Sequence, residues 1–310
     1  MSVQKKNEIL LDSGTNELGI LEFTLDGHSF GINVAKVRQL MAYDKAQAMP
    51  RSGPFIEGII KPRDEIFTVV DLAGYLGLAP STDSEHDILI IAYFNKINIA
   101  FHVHAVSRTY RISWGDIEKP SSTIYGGDDG VITGIAKFDG RMVSIIDFEK
   151  IIYDISPQTG LQPSDPSTLG VRSHTDAPIL LAEDSRLLRK MLVDSLRQAG
   201  YNNITTTDNG QECWNLLEDY KKEPSMLFEH VACVITDIEM PKMDGHHLTR
   251  RIKSDPVLKA LPVVIFSSLI DDNMRLKGEE VGADSQLSKP EIDNLISVID
   301  GYAARARGRI

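Results

Sequence analysis

Residues 231–245 read VACVITDIEMPKMDG. The apolar run 231–235 predicts a short buried strand. It ends at Thr236-Asp237, and a helix is predicted over 245–254. The same strand-then-helix rhythm continues on both sides. Strands are expected at 178–182, 204–206, 262–266 and 285–287. Helices are expected at 185–199, 210–219, 272–281 and 291–304. Leu187, Leu188, Met191, Leu192 and Leu196 line one side of the first of these helices. Five alternations in about 130 residues predict an α/β domain, a doubly wound five-stranded parallel sheet.

Ligands of such sheets bind outside the carboxyl ends of the strands. Strand one ends at Glu183-Asp184, strand three at Asp237, strand four at Ser267-Ser268, and strand five runs into Lys289-Pro290. Taken singly, an acidic residue after a strand is a common helix N-cap and a lysine is commonly solvated. Together they form one chemistry. Converging carboxylates repel one another unless a cation holds them, and an all-oxygen donor set selects Mg2+. A lysine beside the metal offsets the charge of an incoming phosphoryl group. A carboxylate is then the nucleophile, giving an aspartyl-phosphate.

Upstream, residues 156–177 read SPQTGLQPSDPSTLGVRSHTDA, with twelve Pro, Gly, Ser or Thr among 22 positions. Such a stretch buries little and predicts a linker. Before it the pattern is β. Residues 21–25 alternate, Asp26-Gly27 signals a hairpin turn, and 30–32 resume the apolar run. Further strands are expected at 66–70, 88–94, 97–103, 131–138 and 142–146, with turns at Asn95-Lys96 and Asp139-Gly140. A helix at 148–153 closes the segment. Many short strands with turn signals predict small barrels.

Charge and length exclude several classes. The 310 residues carry 15 basic against 21 acidic residues up to position 160 and 18 against 23 after it. Neither half is a basic block that tracks nucleic-acid phosphates. Cys213 and Cys233 are too few for a disulfide framework, and a reducing compartment fits. No apolar run approaches the ~20 residues of a membrane span, and residues 1–17 lack a signal-peptide pattern. A cytoplasmic protein without membrane insertion is expected. His102 and His104 share a strand face but lack a third ligand, so a packing role is expected. His246 and His247 lie about 100° apart on a helix and are read as solvated. Gly126 to Gly130 is read as a turn, lacking the context of a phosphate loop.

The segments ILLAEDSRLLRKML, VITDIEMPKMDGHHLTRRI, PVVIFSS and QLSKP resemble a two-component response-regulator receiver domain. Asp237 lies 30 residues before Ser267 and 52 before Lys289, as in receivers. The 53 residues from Asp184 to Asp237 exceed the common spacing, and the excess falls in a loop at 220–230. The resemblance implies that Asp237 accepts a phosphoryl group from a kinase phosphohistidine. It implies that Glu183, Asp184, Asp237 and the backbone carbonyl of Glu239 bind Mg2+. Ser267 would be the switch hydroxyl, Lys289 the phosphoryl contact, and Lys289-Pro290 a cis bond. Gln286 stands where the family often has a rotating aromatic. Leu269 stands where fast-hydrolysing receivers often have a polar residue, so slow dephosphorylation is expected.

The segments FTLDGHSFGINVAKVRQLM, FIEGIIKPRDEIFTVVDLAGYLG and GIAKFDGRMVSIIDFEKII resemble the CheW-like coupling domain of bacterial chemotaxis. That family folds as two SH3-like β-barrels. It docks chemoreceptor tips and the CheA histidine kinase. By matching position, Val37, Gly58 and Arg63 lie on the docking surface, or else serve as core packing and a turn. Gln39 replaces a common glutamate, so a charge pair with Arg63 is lost or replaced. The expected division is a coupling domain at 15–155, a linker at 156–177 and a receiver at 178–307. This order is similar to the chemotaxis family that fuses the two. It implies a non-enzymatic adaptor at receptor arrays on the inner face of the membrane. Phosphorylation of Asp237 would tune coupling and adaptation. A phosphate sink that drains the kinase stays open as an alternative. A DNA-binding or enzymatic output lacks any motif outside the two domains.

Overall fold

A computed structural model describes residues 16–94, 97–118, 130–138, 140–156, 176–268, 272–289 and 291–307. The expected linker beyond Ser156, Asp176 and Ala177, the turn residues Asn95, Lys96 and Asp139, most of the glycine turn at 126–130, Leu269 and Pro290 lie outside the described residues.

The N-terminal half runs β1 (Glu17–Leu25), β2 (His28–Asn33), β3 (Val37–Ala42), β4 (Ile56–Ile60), β5 (Phe67–Asp71), α1 (Leu72–Tyr75), β6 (Ile88–Phe94), β7 (Ile97–Val103), β8 (Ala105–Ser113), β9 (Ile132–Phe138), β10 (Arg141–Ile146) and α2 (Phe148–Ile155). Two five-stranded sheets result, β8-β1-β2-β10-β9 and β3-β6-β7-β5-β4. Each is antiparallel except at one junction, β2 with β10 and β5 with β7. The turn from β1 to β2 is the expected Asp26-Gly27, both at positive φ, as a tight hairpin turn demands.

The two sheets share one core. Phe23 and Ile32 come from the first sheet, Phe94 and Phe101 from the second, and Phe148 from α2. Phe148 packs edge-on against Phe101 at 4.7 Å and stacks near Phe94 at 6.2 Å. Such a ring cluster buries a large apolar area in fixed geometry. It pins the first turn of α2, which Asp147 caps by accepting from the Lys150 backbone N–H at 2.9 Å.

The C-terminal half runs β11 (Ile179–Ala182), α3 (Arg186–Gln198), β12 (Ile204–Thr207), α4 (Gly210–Tyr220), α5 (Leu227–His230), β13 (Cys233–Thr236), α6 (Gly245–Ser254), β14 (Val263–Ser267), α7 (Asp272–Glu280), β15 (Ser285–Ser288) and α8 (Ile292–Arg307). The sheet is parallel throughout, in the order β12-β11-β13-β14-β15. One core, with Leu192, Leu196 and Ile296, lies on one face. A second, with Leu217, Leu248 and Ile252, covers the other. Strand order reverses beside β11, so the crevice opens between the ends of β11 and β13.

Several elements differ from expectation. β3, β4, β8 and α1 were not anticipated, and the spacing excess before β13 holds the one-turn helix α5. His246 is a correction. It is 6% exposed, not solvated, because it shares the inward face of α6 with Thr249 and Ile252. Burial pushes its pKa down to about 4, and the Lys277 charge adds to the effect.

Candidate functional site

The predicted residues meet at the carboxyl edge of the parallel sheet. Glu183 and Asp184 follow β11, Asp237 follows β13, Ser267 ends β14 and Lys289 follows β15. Lys289 Nζ lies 2.9 Å from Asp237 Oδ2 and 3.1 Å from Glu183 Oε2. Asp237 Oδ1 accepts from the Ile238 backbone N–H at 2.7 Å, which fixes the carboxylate plane. Ser267 is buried, and its carbonyl accepts from the Lys289 N–H at 3.2 Å.

Glycine brings the strand end and the next helix together. A Cβ on Gly245 would stand 1.9 Å from the Asp237 carbonyl oxygen. Only glycine lets α6 start this close to the β13 end. The neighbouring Asp244 caps α6, accepting from the His247 N–H at 2.7 Å.

One carboxylate oxygen from each of Glu183, Asp184 and Asp237 lies within 4.8 Å of the others. All donors are hard oxygens, a set that fits Mg2+. Burial pushes the Glu183 carboxyl well above its usual range; Lys289 opposes this, while Asp237 and Asp184 add to it. A cation would relieve that charge crowding. The side chain of Glu239 turns away from this cluster, to Lys36 and Asn33 of the N-terminal half.

The same pocket has a second wall, which the sequence reading did not anticipate. Glu149, on the first turn of α2, points into it. Its Oε2 lies 3.0 Å from Lys289 Nζ, and its Oε1 accepts from the Ser268 hydroxyl. Burial alone would raise the Glu149 carboxyl. Lys289 and Lys36 outweigh it and bring the group down to about 2. Lys36 joins both halves, pairing with Glu149 at 3.5 Å and with Glu239. Further along the seam, Asp244 N–H donates to Asn16 Oδ1 at 2.9 Å. Asn16 Nδ2 donates to the Lys242 carbonyl at 2.8 Å, and Lys242 N–H donates to the Trp114 carbonyl at 3.1 Å. A cavity of about 50 Å³ remains between the halves, lined by Trp114 and Glu149 on one side and Glu183 and Asp237 on the other. Exposure falls to 1% at Lys289, 2% at Glu183 and 4% at Asp237.

The residues read as a docking surface lie apart from this pocket. Arg63 is exposed in the turn between β4 and β5, at positive φ. Val37 opens β3 and packs partly against the shared core. Gly58 sits at a bulge in β4 with φ +148, where a Cβ would stand 2.2 Å from the Gln47 carbonyl oxygen. Arg38 of β3 holds Glu65 by two bonds, at 2.6 and 3.2 Å.

The two histidines of β7 and its edge have separate roles. His102 Nδ1 is 2.6 Å from Glu57 Oε1 and its Nε2 2.9 Å from Asp87 Oδ2, under the stacked Tyr43 ring. His104 Nδ1 accepts from the Asp26 N–H at 3.0 Å. Among the described residues no helix is long and apolar enough to cross a membrane.

The chain matches two family models: a CheW-like domain over residues 19–156 and a response regulator receiver domain over residues 179–300. It is 30% identical to chemotaxis protein CheV3 of Helicobacter pylori over 290 residues, covering 90% of this chain and 92% of that relative. It is also 30% identical to CheV2 of the same organism over 296 residues, covering 89% and 92%. Among solved structures it resembles the scaffolding protein TtCheW from Thermoanaerobacter tengcongensis, with 29% identity and a TM-score of 0.39 over 42% of this chain and 88% of that one.

Proposed function

The chain belongs to the CheV family of chemotaxis proteins, a coupling adaptor with a receiver domain, and on that premise we propose that phosphorylation of Asp237 regulates how it couples chemoreceptors to the CheA histidine kinase. The observation that carries this reading is the Lys289 ammonium bridging Asp237 and Glu183 at the carboxyl edge of the sheet. An aspartate beside a fixed ammonium, next to two more carboxylates, is the arrangement phosphoryl transfer to a carboxylate needs.

In this reading Asp237 attacks the phosphorus of a kinase phosphohistidine. The P–N bond breaks, a P–O bond to an Asp237 carboxylate oxygen forms, and the freed imidazole nitrogen takes a proton from solvent. Lys289 then faces the phosphoryl oxygens, and Ser267 supplies a hydroxyl from the end of β14. Glu183, Asp184, Asp237 and the Glu239 carbonyl would hold Mg2+, which when bound neutralises charge on the transferring group. Gln286 replaces the aromatic readout; its Nε2 donates to the Arg275 carbonyl at 2.9 Å and its amide lies against Gly278, where a Cβ would meet it.

The coupling domain, 15–155, would dock receptors and kinase at membrane arrays through Val37, the Gly58 bulge and Arg63. The linker, 156–177, would let it part from the receiver at 178–307. The chain itself turns over no external substrate beyond its own phosphorylation and slow dephosphorylation.

The test is phosphorylation of the full chain by kinase or acetyl phosphate with Mg2+, read by intact mass. Wild type should gain one acid-stable, base-labile phosphoryl group, and Asp237→Asn none. Equal labelling of both would overturn the assignment.

A further inference from the structure

The pocket that the proposed function assigns to a phosphoryl group already holds an anion from this chain. Glu149 places its two carboxylate oxygens against Lys289 Nζ and the Ser268 hydroxyl. Asp237 and Glu183 meet the same ammonium at 2.9 and 3.1 Å, so the ammonium lies between two carboxylates of the receiver and one of the coupling domain. A phosphoryl group on Asp237 would present anionic oxygens to that ammonium and to the hydroxyls at the end of β14. Glu149, Glu183 and Asp237 already share this one ammonium, so phosphoryl oxygens added there crowd further negative charge around a single cation in a low-dielectric site, and Glu149, which comes from the other domain, is the carboxylate that can leave.

The presentation of Glu149 is rigid. Phe148 before it is locked in the aromatic cluster with Phe101 and Phe94, and Asp147 caps the helix. The next residue therefore leaves the core at a fixed angle toward the receiver. Other hydrogen bonds and ion pairs across the seam are polar contacts of Lys36 and Asn33 with Glu239 and of Asn16 with Lys242 and Asp244, beside a cavity that Leu18, Ile20, Trp114 and Leu188 also line. Polar contacts of this kind exchange for water at small net cost, so the seam can part. While it is shut, Asp237 is 4% exposed.

We propose that Glu149 is an internal ligand of the phosphoryl subsite: its carboxylate fills the place of the phosphoryl oxygens while the seam is shut, and phosphorylation of Asp237, reached when the seam parts, excludes it and holds the seam between the domains open. This rests on the reading of Asp237 as the phosphoacceptor.

The experiment uses the full chain and beryllofluoride, a phosphoryl mimic, with Mg2+. Bound probe is counted by fluorine NMR in wild type, Glu149→Gln, Lys36→Met and Asp237→Asn. Both coupling-side substitutions leave every receiver residue in place, so probe binding itself reports a folded receiver. Glu149→Gln should bind about tenfold more tightly than wild type, and Lys36→Met should move the same way by less. Equal or weaker binding by Glu149→Gln, with binding by wild type intact and lost in Asp237→Asn, overturns the proposal alone. Absence of Asp237-dependent binding in every variant overturns the phosphoacceptor reading and the proposal with it.

Discussion

Lys289 of the receiver and Glu149 of the coupling domain form a buried ion pair at 3.0 Å, 140 positions apart in the chain. The pair joins the phosphoacceptor pocket to the first turn of the helix that ends the coupling domain. A change at one is therefore felt directly by the other.

Removing the ammonium exposes that dependence. Lys289→Met leaves Asp237 and Glu183 facing Glu149 without their shared ammonium, with Lys36 the remaining cation on Glu149. Loss of one partner from a buried ion cluster costs about 3–5 kcal/mol. Urea unfolding should show a destabilisation of that order in chelator. Added Mg2+ should stabilise the variant more than wild type, because Asp237 and Glu183 have then lost the ammonium they shared. A variant as stable as wild type, or one indifferent to Mg2+, would count against the charge arrangement described.

Two glycines give opposite outcomes. Gly245→Ala drives a Cβ into the Asp237 carbonyl and should cost about 2 kcal/mol or more while abolishing phosphorylation. Gly301→Ala meets open space within α8 and should stabilise by about 0.5–1 kcal/mol, with phosphorylation unchanged. Thermal unfolding and intact-mass labelling check both.

The coupling domain should be sensitive to pH through His102. Burial alone would lower its pKa, but Glu57 and Asp87 raise it above the ordinary value. A raised histidine contributes its full stability below about pH 6.5 and loses it as pH climbs through the folded value. Glu57 is held below its ordinary value, by His102 and Tyr43 against the opposing effect of burial, so it stays charged in this range. The Tyr43 hydroxyl, pushed up to about 12 by burial and Glu57, does not titrate there. Stability should fall as pH rises above about 6.5, the ordinary value of histidine. His102→Gln should flatten that slope; an unchanged slope would remove His102 as its source.

The aspartyl-phosphate should decay slowly. Leu269 brings no polar atom with which to align an attacking water. Purified labelled protein should keep its phosphoryl group well beyond minutes, and Leu269→Glu should shorten its lifetime. Loss within minutes without a phosphatase would contradict this.

The receiver is legible because its three central strands, β11, β13 and β14, are apolar runs and its helices α3, α4 and α6 are amphipathic and capped. Glu183, Asp184, Asp237, Ser267 and Lys289 follow from strand ends once that order is read. The strands that escaped notice carry weak patterns. β3 and β8 are largely exposed, and β4 is broken by Gly58. Edge strands lack the alternation that marks a half-buried one. Glu149 was hidden for another reason. An acidic residue in a first helical turn is favoured by the helix dipole alone, so its partner 140 positions away leaves no local signal. His246 was misjudged because its spacing to Thr249 and Ile252, rather than its pairing with His247, decides its face.

The most direct test is co-sedimentation of the full chain with receptor-containing membranes and CheA, with and without acetyl phosphate, in wild type and Asp237→Asn. The account predicts that the amount of wild type bound changes with the donor, while Asp237→Asn binds equally in both conditions. Binding that ignores donor and substitution, while phosphoryl groups still leave the kinase through Asp237, would contradict it and identify a phosphate sink.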